Sequence, residues 1–225
     1  MAKKAEFPAP WHLEGSGVII FFPAHKKNVL ASPALGSENA ASFRGGAGAV
    51  MLVHYEKADC GPYDELLYIP GFFEHDNKTY MRITKILVST QESVEWGRRN
   101  WAIPKELADF DWRQGEKEWH IDVKQPKTGN NIYSISLSPR FFNFPITTSF
   151  LPWSLLQKQE EKYADGEEFY LETKLNGKGS AKICFIDRVE GSREFPDYHD
   201  MSYGPRIAVA VNPFEMTFPV ARKVR

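Results

Sequence analysis

The chain has 225 residues, with 28 Lys and Arg against 29 Asp and Glu, and a formal net charge of −1. Hydrophobic residues make up 42% and aromatic residues 14%, which supplies a sizeable core and excludes intrinsic disorder. The balanced charge excludes a general nucleic-acid binder, which would need a basic surface.

In chain order, the N-terminal stretch MAKKAEFPAPW has lysines but no apolar segment behind them. The longest apolar run, GVIIFFPA, is too short to span a bilayer, so a soluble cytoplasmic protein without a membrane partner is expected. A strand is predicted over 18–22, followed by a long, small-residue-rich loop over 31–48. GGAGAV at 45–50 lacks the Gly-Lys-Ser/Thr ending of a phosphate loop and leads into a strand, not a helix. Strands are predicted at 49–55, 65–69 and 80–89 from Val, Ile, Tyr and Phe bounded by Gly, Pro, Asn and Asp. STQESVEWGRRN then reads as a helix over about 90–100, with Ser89 and Glu92 forming a capping box. It must stop before Pro104, which forces Ile103 into an extended conformation. Further strands are predicted at 118–123, 132–137, 168–174, 181–186 and 206–217, and a second short helix at 152–159. GNN at 129–131 separates two of these strands, and Asn176-Gly177 is a hairpin signal. The pattern predicts one domain over 1–225, mainly β with a few short helices, whose antiparallel sheet curls or closes.

Two cysteines, Cys60 and Cys184, stand outside any CxxC, and the six histidines show no metal-binding spacing, so neither a disulfide framework nor a metal site is expected. Two stretches carry candidate chemistry. In GPYDELLYIPG, the strand alternation puts Glu65, Leu67 and Ile69 on one face. Glu65 is then either a solvated strand end or, if that face lines an interior, a carboxylate among apolar neighbours suited to acid–base work. In GRRNWAIPKELADF, Lys105 follows an extended Pro step and shares its parity with Trp101, Ile103 and Leu107. It is either a solvated lysine beyond a helix C-terminus or an amine held in a dry pocket.

Together these stretches resemble the acetoacetate decarboxylase family. Tyr63 and Glu65 match its Tyr-x-Glu segment. Gly97, Arg98, Ala102, Pro104, Lys105 and Leu107 match its later Gly-Arg-x-x-x-(Ala/Gly)-x-Pro-Lys segment without a gap. The resemblance runs from about Trp11 to the C-terminus and is strongest over 50–112. It implies a closed, cone-like antiparallel β-barrel in which Lys105 forms a Schiff base with a keto acid or related carbonyl compound and Glu65 sits beside it. Tyr63, Arg98 and Trp101 would contact the substrate. No metal and no organic cofactor is implied; the partner is a small-molecule carbonyl substrate, and a homo-oligomer is allowed.

Two departures bear on the chemistry. Members of the family often carry a second lysine after the first, whereas this chain has Glu106. They also hold the substrate carboxylate with an arginine near the N-terminus, whereas between Gly17 and Leu30 this chain has only His25, Lys26 and Lys27. Arg82 or Arg44, if it lines the pocket, could supply the missing clamp, and Arg82 is counted among the substrate-binding residues. A carboxylate roughly 8 Å away, at Glu106, would favour the ammonium by about 2 kcal/mol, against the desolvation of a buried amine. The alternative reading is a non-catalytic β-barrel that binds a small apolar ligand, with PRFFNFPITTSFLPW at 139–153 as its wall.

Overall fold

The computed structural model describes residues 5–149, 152–192, 195 and 206–224. The chain runs β1 (Trp11–Ala24), α1 (Lys26–Ala31), two 3-10 turns (Pro33–Leu35 and Ser37–Asn39), β2 (Phe43–Lys57), β3 (Tyr63–Ile69), β4 (Phe72–His75), β5 (Lys78–Met81) and β6 (Lys85–Val88). Next come α2 (Gln91–Trp101), β7 (Lys105–Leu107), β8 (Asp109–Gln114), β9 (Trp119–Lys124) and β10 (Asn131–Pro139). The last elements are β11 (Phe144–Thr147), β12 (Leu155–Lys158), a 3-10 turn (Glu161–Tyr163), β13 (Tyr170–Thr173), β14 (Asn176–Gly191), β15 (Ile207–Phe218) and β16 (Arg222–Val224). No helix among the described residues is long and apolar enough to cross a membrane.

The strands join one mostly antiparallel sheet in the order β16-β13-β12-β5-β4-β2-β1-β15-β14-β10-β9-β8. Among the described residues this path does not return on itself, so the closed cone that the resemblance implied is not borne out by the described strand pairing. The terminal strands have the composition of edges: Asp109, Asp111 and Arg113 are exposed on β8, and Arg222 and Lys223 on β16. Such charges disfavour further strand pairing.

The sheet forks at β2, and the fork positions the site. The first part of β2 pairs with β4, while Ala49–Tyr55 pairs with β3, which continues sideways into β6 and then β7. Alternation sends the two faces of β2 and β3 into separate cores. Leu52, Leu66 and Tyr68 pack with Val18 and Ile20 on one side. Val53, Tyr55, Tyr63 and Leu67 pack with Trp11 and Trp101 on the other. Strand β3 is therefore buried on both faces, and Glu65 cannot reach solvent as a strand end.

Several local expectations are corrected by tertiary pairing. Asn176-Gly177 makes no hairpin turn: both residues lie inside β14, opposite Thr217 and Met216 of β15. The segment 152–159 is not a helix, because Leu155–Lys158 pairs with β13. The single strand expected over 80–89 breaks between Met81 and Lys85. The long loop expected over 31–48 is largely the two 3-10 turns and the start of β2. Helix α2 is capped by Thr90, whose Oγ1 accepts from the Ser93 amide, while the Ser89 hydroxyl instead accepts from the Asp64 amide at 2.8 Å. Ala102, in a left-handed conformation (φ 56°), ends the helix two residues before Pro104.

Candidate active site

Three strands in lateral register build the floor of the site. Leu67 on β3 lies opposite Ile86 on β6, and Ile86 lies beside Lys105 on the parallel β7. Paired residues share a face, so Lys105 projects on the same side as Leu67 and, two residues along β3, Glu65. Helix α2 closes over this face with the stripe Ser93, Gly97 and Trp101. These residues are four apart and lie on one helix face.

Lys105 and Glu65 are each buried, at 3% and 4% exposure. The Lys105 Nζ donates to Glu65 Oε2 at 2.8 Å, Ser93 Oγ at 3.0 Å and Tyr63 Oη at 3.3 Å. It also lies 4.8 Å from the Tyr63 ring centroid, a cation–π distance. The other Glu65 oxygen accepts from the Tyr55 hydroxyl at 3.1 Å. Burial first, and then the Glu65 charge, push the phenols of Tyr55 and Tyr63 well above the ordinary tyrosine range. Both therefore keep their protons at neutral pH, and Tyr55 acts as a donor to the carboxylate. Burial likewise pushes the nearby Cys60 thiol up to about 11, which removes it as a competing nucleophile.

The pair opens onto a cavity of about 50 Å³ walled by apolar groups that include Trp11, Leu67, Ile86, Trp101 and Ile103. A single water needs roughly 10–15 Å³ by this kind of measure, so the space holds a few water-sized groups and no more. Among the described residues no group of His, Cys, Asp and Glu is placed to hold a metal.

Of the residues singled out from sequence, the structure brings Lys105, Glu65, Tyr63 and Trp101 together. Trp101 lines the cavity while its Nε1 donates to the Pro219 carbonyl at 2.7 Å. Arg98 does not face the cavity. Its Nε donates to the Lys105 carbonyl at 2.7 Å and its guanidinium pairs with Glu160 at 2.5 Å, so it fastens the Lys105 backbone to α2. Arg82 is also outside the cavity. The chain turns Ile83 into the cavity and buries Arg82 between Phe73 and Tyr170, where its guanidinium donates to Asn39 Oδ1 at 3.2 Å. Arg44 pairs with Glu74 on the surface. Glu106 lies on the opposite side of β7 from Lys105 and is held by Lys85 at 2.9 Å. Lys85 offsets the charge that was expected to act on Lys105. The aromatic stretch 139–153 does not wall this cavity: Phe141 and Phe142 are among its most exposed residues, and 150–151 lie outside the described residues.

Ser93 and Tyr55 were not found by sequence reasoning, and Gly97 was found as a motif position without a role. A signal existed for two of them, since Ser93 and Gly97 precede Trp101 at helical spacing. A Cβ on Gly97 would lie 2.6 Å from Cδ and 2.8 Å from Cε of Lys105. The glycine thus leaves the channel along which the lysine crosses the helix.

No family model and no curated protein sequence matches the chain. Solved structures do. The acetoacetate decarboxylase of Legionella pneumophila subsp. pneumophila str. Philadelphia 1 superposes with a TM-score of 0.72 at 12% identity, over 100% of this chain and 92% of that one. The chain has the acetoacetate decarboxylase fold. An acetoacetate decarboxylase-like enzyme from Sphingomonas wittichii RW1 superposes at 0.64, with 9% identity over 98% of this chain and 94% of that one. The enduracididine biosynthesis enzyme MppR complexed with pyruvate superposes at 0.60, with 12% identity over 99% and 92%.

Within this acetoacetate decarboxylase fold the buried pair gives two tests. Removing one partner strands a buried charge, so Lys105→Met or Glu65→Leu alone should cost about 3–5 kcal/mol. The double variant should recover most of that loss, and urea unfolding of the four proteins measures the coupling. Additive losses would mean the pair is solvated. Gly97→Ala should separate stability from chemistry. The helix gains roughly 0.5–1 kcal/mol of propensity, while displacing the Lys105 side chain by about an ångström should lower its reactivity toward carbonyl reagents by roughly tenfold to a hundredfold. Unchanged reactivity would show that the channel is not needed.

Proposed function

We propose that the protein is a Schiff-base-forming lyase acting on a small keto acid or related carbonyl compound through Lys105. The observation that carries this reading is the Lys105 Nζ held 2.8 Å from Glu65 Oε2 within an apolar cavity. The fold shared with acetoacetate decarboxylase, and with MppR complexed with pyruvate, supports the same class.

The chemistry follows from that distance. Passing one proton from Nζ to Oε2 converts the ion pair to a neutral amine and a carboxylic acid without changing the net charge of the cavity. The amine nitrogen then attacks the carbonyl carbon, and the carbonyl oxygen leaves as water after two protonations, giving an iminium on Nζ. The iminium accepts the electron pair of a breaking bond at the α-carbon. Loss of a proton to the Glu65 carboxylate gives an enamine, and loss of carbon dioxide or an aldehyde gives the same enamine by carbon–carbon cleavage. Tyr55, donating to the far oxygen of Glu65, stabilises its carboxylate form. A large apolar ligand of the kind a binding barrel would hold needs more room than about 50 Å³.

Borohydride trapping with a panel of keto acids and other small carbonyl compounds tests the proposal. A reduced adduct is expected at Lys105 by peptide mass mapping, and none at that position in a folded Lys105→Met protein. Failure of every compound to label Lys105 would remove the lyase reading.

A further inference from the structure

We propose that the cavity selects uncharged carbonyl compounds, small ketones or aldehydes, over keto acids; this rests on Lys105 being the Schiff-base amine. Among the described residues lining the cavity, Lys105 is the one cation and Glu65 the one anion. They neutralise each other at 2.8 Å. Every other cation that the sequence placed near the site is committed elsewhere. Arg98 holds the Lys105 carbonyl and Glu160, Arg82 lies between Phe73 and Tyr170, Arg44 pairs with Glu74, and Lys85 holds Glu106 on the far side of β7.

Charge counting through the reaction shows the consequence. An iminium on Lys105 beside ionised Glu65 leaves the cavity neutral, as it was before substrate entered. A substrate carboxylate would add a negative charge against walls such as Leu67, Ile86 and Ile103, with Glu65 already satisfying the cation. A buried charge without a partner is strongly disfavoured. An uncharged carbonyl avoids this at every step. When the α-hydrogen passes as a proton to Glu65, its bonding pair forms the enamine double bond, the iminium nitrogen becomes neutral, and Glu65 becomes a neutral acid. The products are uncharged throughout, which suits a dry pocket.

The test is a matched pair of probes, 2-butanone and 2-oxobutanoate, which differ in a methyl group against a carboxylate. Each is incubated with the protein and cyanoborohydride, and labelling at Lys105 is divided by labelling of free Nα-acetyl-lysine under the same conditions. 2-Butanone is expected to label Lys105 about tenfold faster or more on this scale. Equal labelling, or faster labelling by 2-oxobutanoate, would overturn the selectivity while leaving the Schiff-base reading intact. No labelling at Lys105 by either probe would overturn both. Met51, partly buried at the cavity wall, offers a second arm. A folded Met51→Arg protein is expected to shift the ratio toward 2-oxobutanoate, and an unchanged ratio would count against the charge argument.

Discussion

The ion pair between Lys105 and Glu65 is the constraint on which the rest of the site depends. Taking an ammonium and a carboxylate out of water costs several kcal/mol for each ion, and mutual attraction offsets this only when the remaining donors and acceptors are also satisfied. Here they are. The amine meets Glu65, Ser93 and Tyr63, and the second carboxylate oxygen meets Tyr55. These partners come from β2, β3 and α2, so the pair can form only when the fork in the sheet, strand β7 and helix α2 are all in place. The short β7 is set by its register against β6, by the turn at Ala102–Pro104 and by Arg98 gripping the Lys105 carbonyl. Glycine at position 97 then lets the lysine pass beneath the helix.

That arrangement underlies the chemistry proposed for the lysine. In water a lysine is held as an ammonium by solvation and is a poor nucleophile. In this cavity its Nζ lies 2.8 Å from Glu65 Oε2, a short path for a proton. The same apolar walls limit what can enter. For the Schiff-base reaction proposed above, a volume of about 50 Å³ and a charge balance already closed by Glu65 would define the substrate more narrowly than the fold does, since one fold hosts many reactions.

Much of this was legible in the sequence. The parity of Glu65 with Leu67 and Ile69, and of Lys105 with Trp101 and Ile103, allowed a buried pair but left solvated positions open, and it was the matched motifs that singled the two residues out. The helix over 91–101 followed from its start signal and from Pro104, although the cap fell on Thr90 because Ser89 was taken by the Asp64 amide. What escaped were facts created by distant pairing. Asn176-Gly177 has strong turn chemistry, yet β15 recruits it into a strand. Glu106 lies on the face away from Lys105, as alternation along an extended segment requires, but its partner Lys85 comes from a neighbouring strand and so its neutralisation could not be read. Arg98 carries a motif position that suggests substrate contact, and its side chain serves the backbone instead. The Asp- and Arg-bearing strand β8 was not anticipated as a strand at all, because it pairs only along a charged edge.

The central claim is that Lys105 and Glu65 act as one unit, amine and proton carrier. Deuterium exchange at the α-carbon of 2-butanone and 2-oxobutanoate in heavy water, followed by proton NMR and corrected for exchange in buffer alone, tests it most directly, because exchange through Lys105 needs both iminium formation and removal of the α-proton. The expected result is exchange catalysed by the native protein and lost in folded Lys105→Met and Glu65→Gln variants. Exchange that survives in Lys105→Met, or native protein that catalyses none with either compound, would contradict the claim.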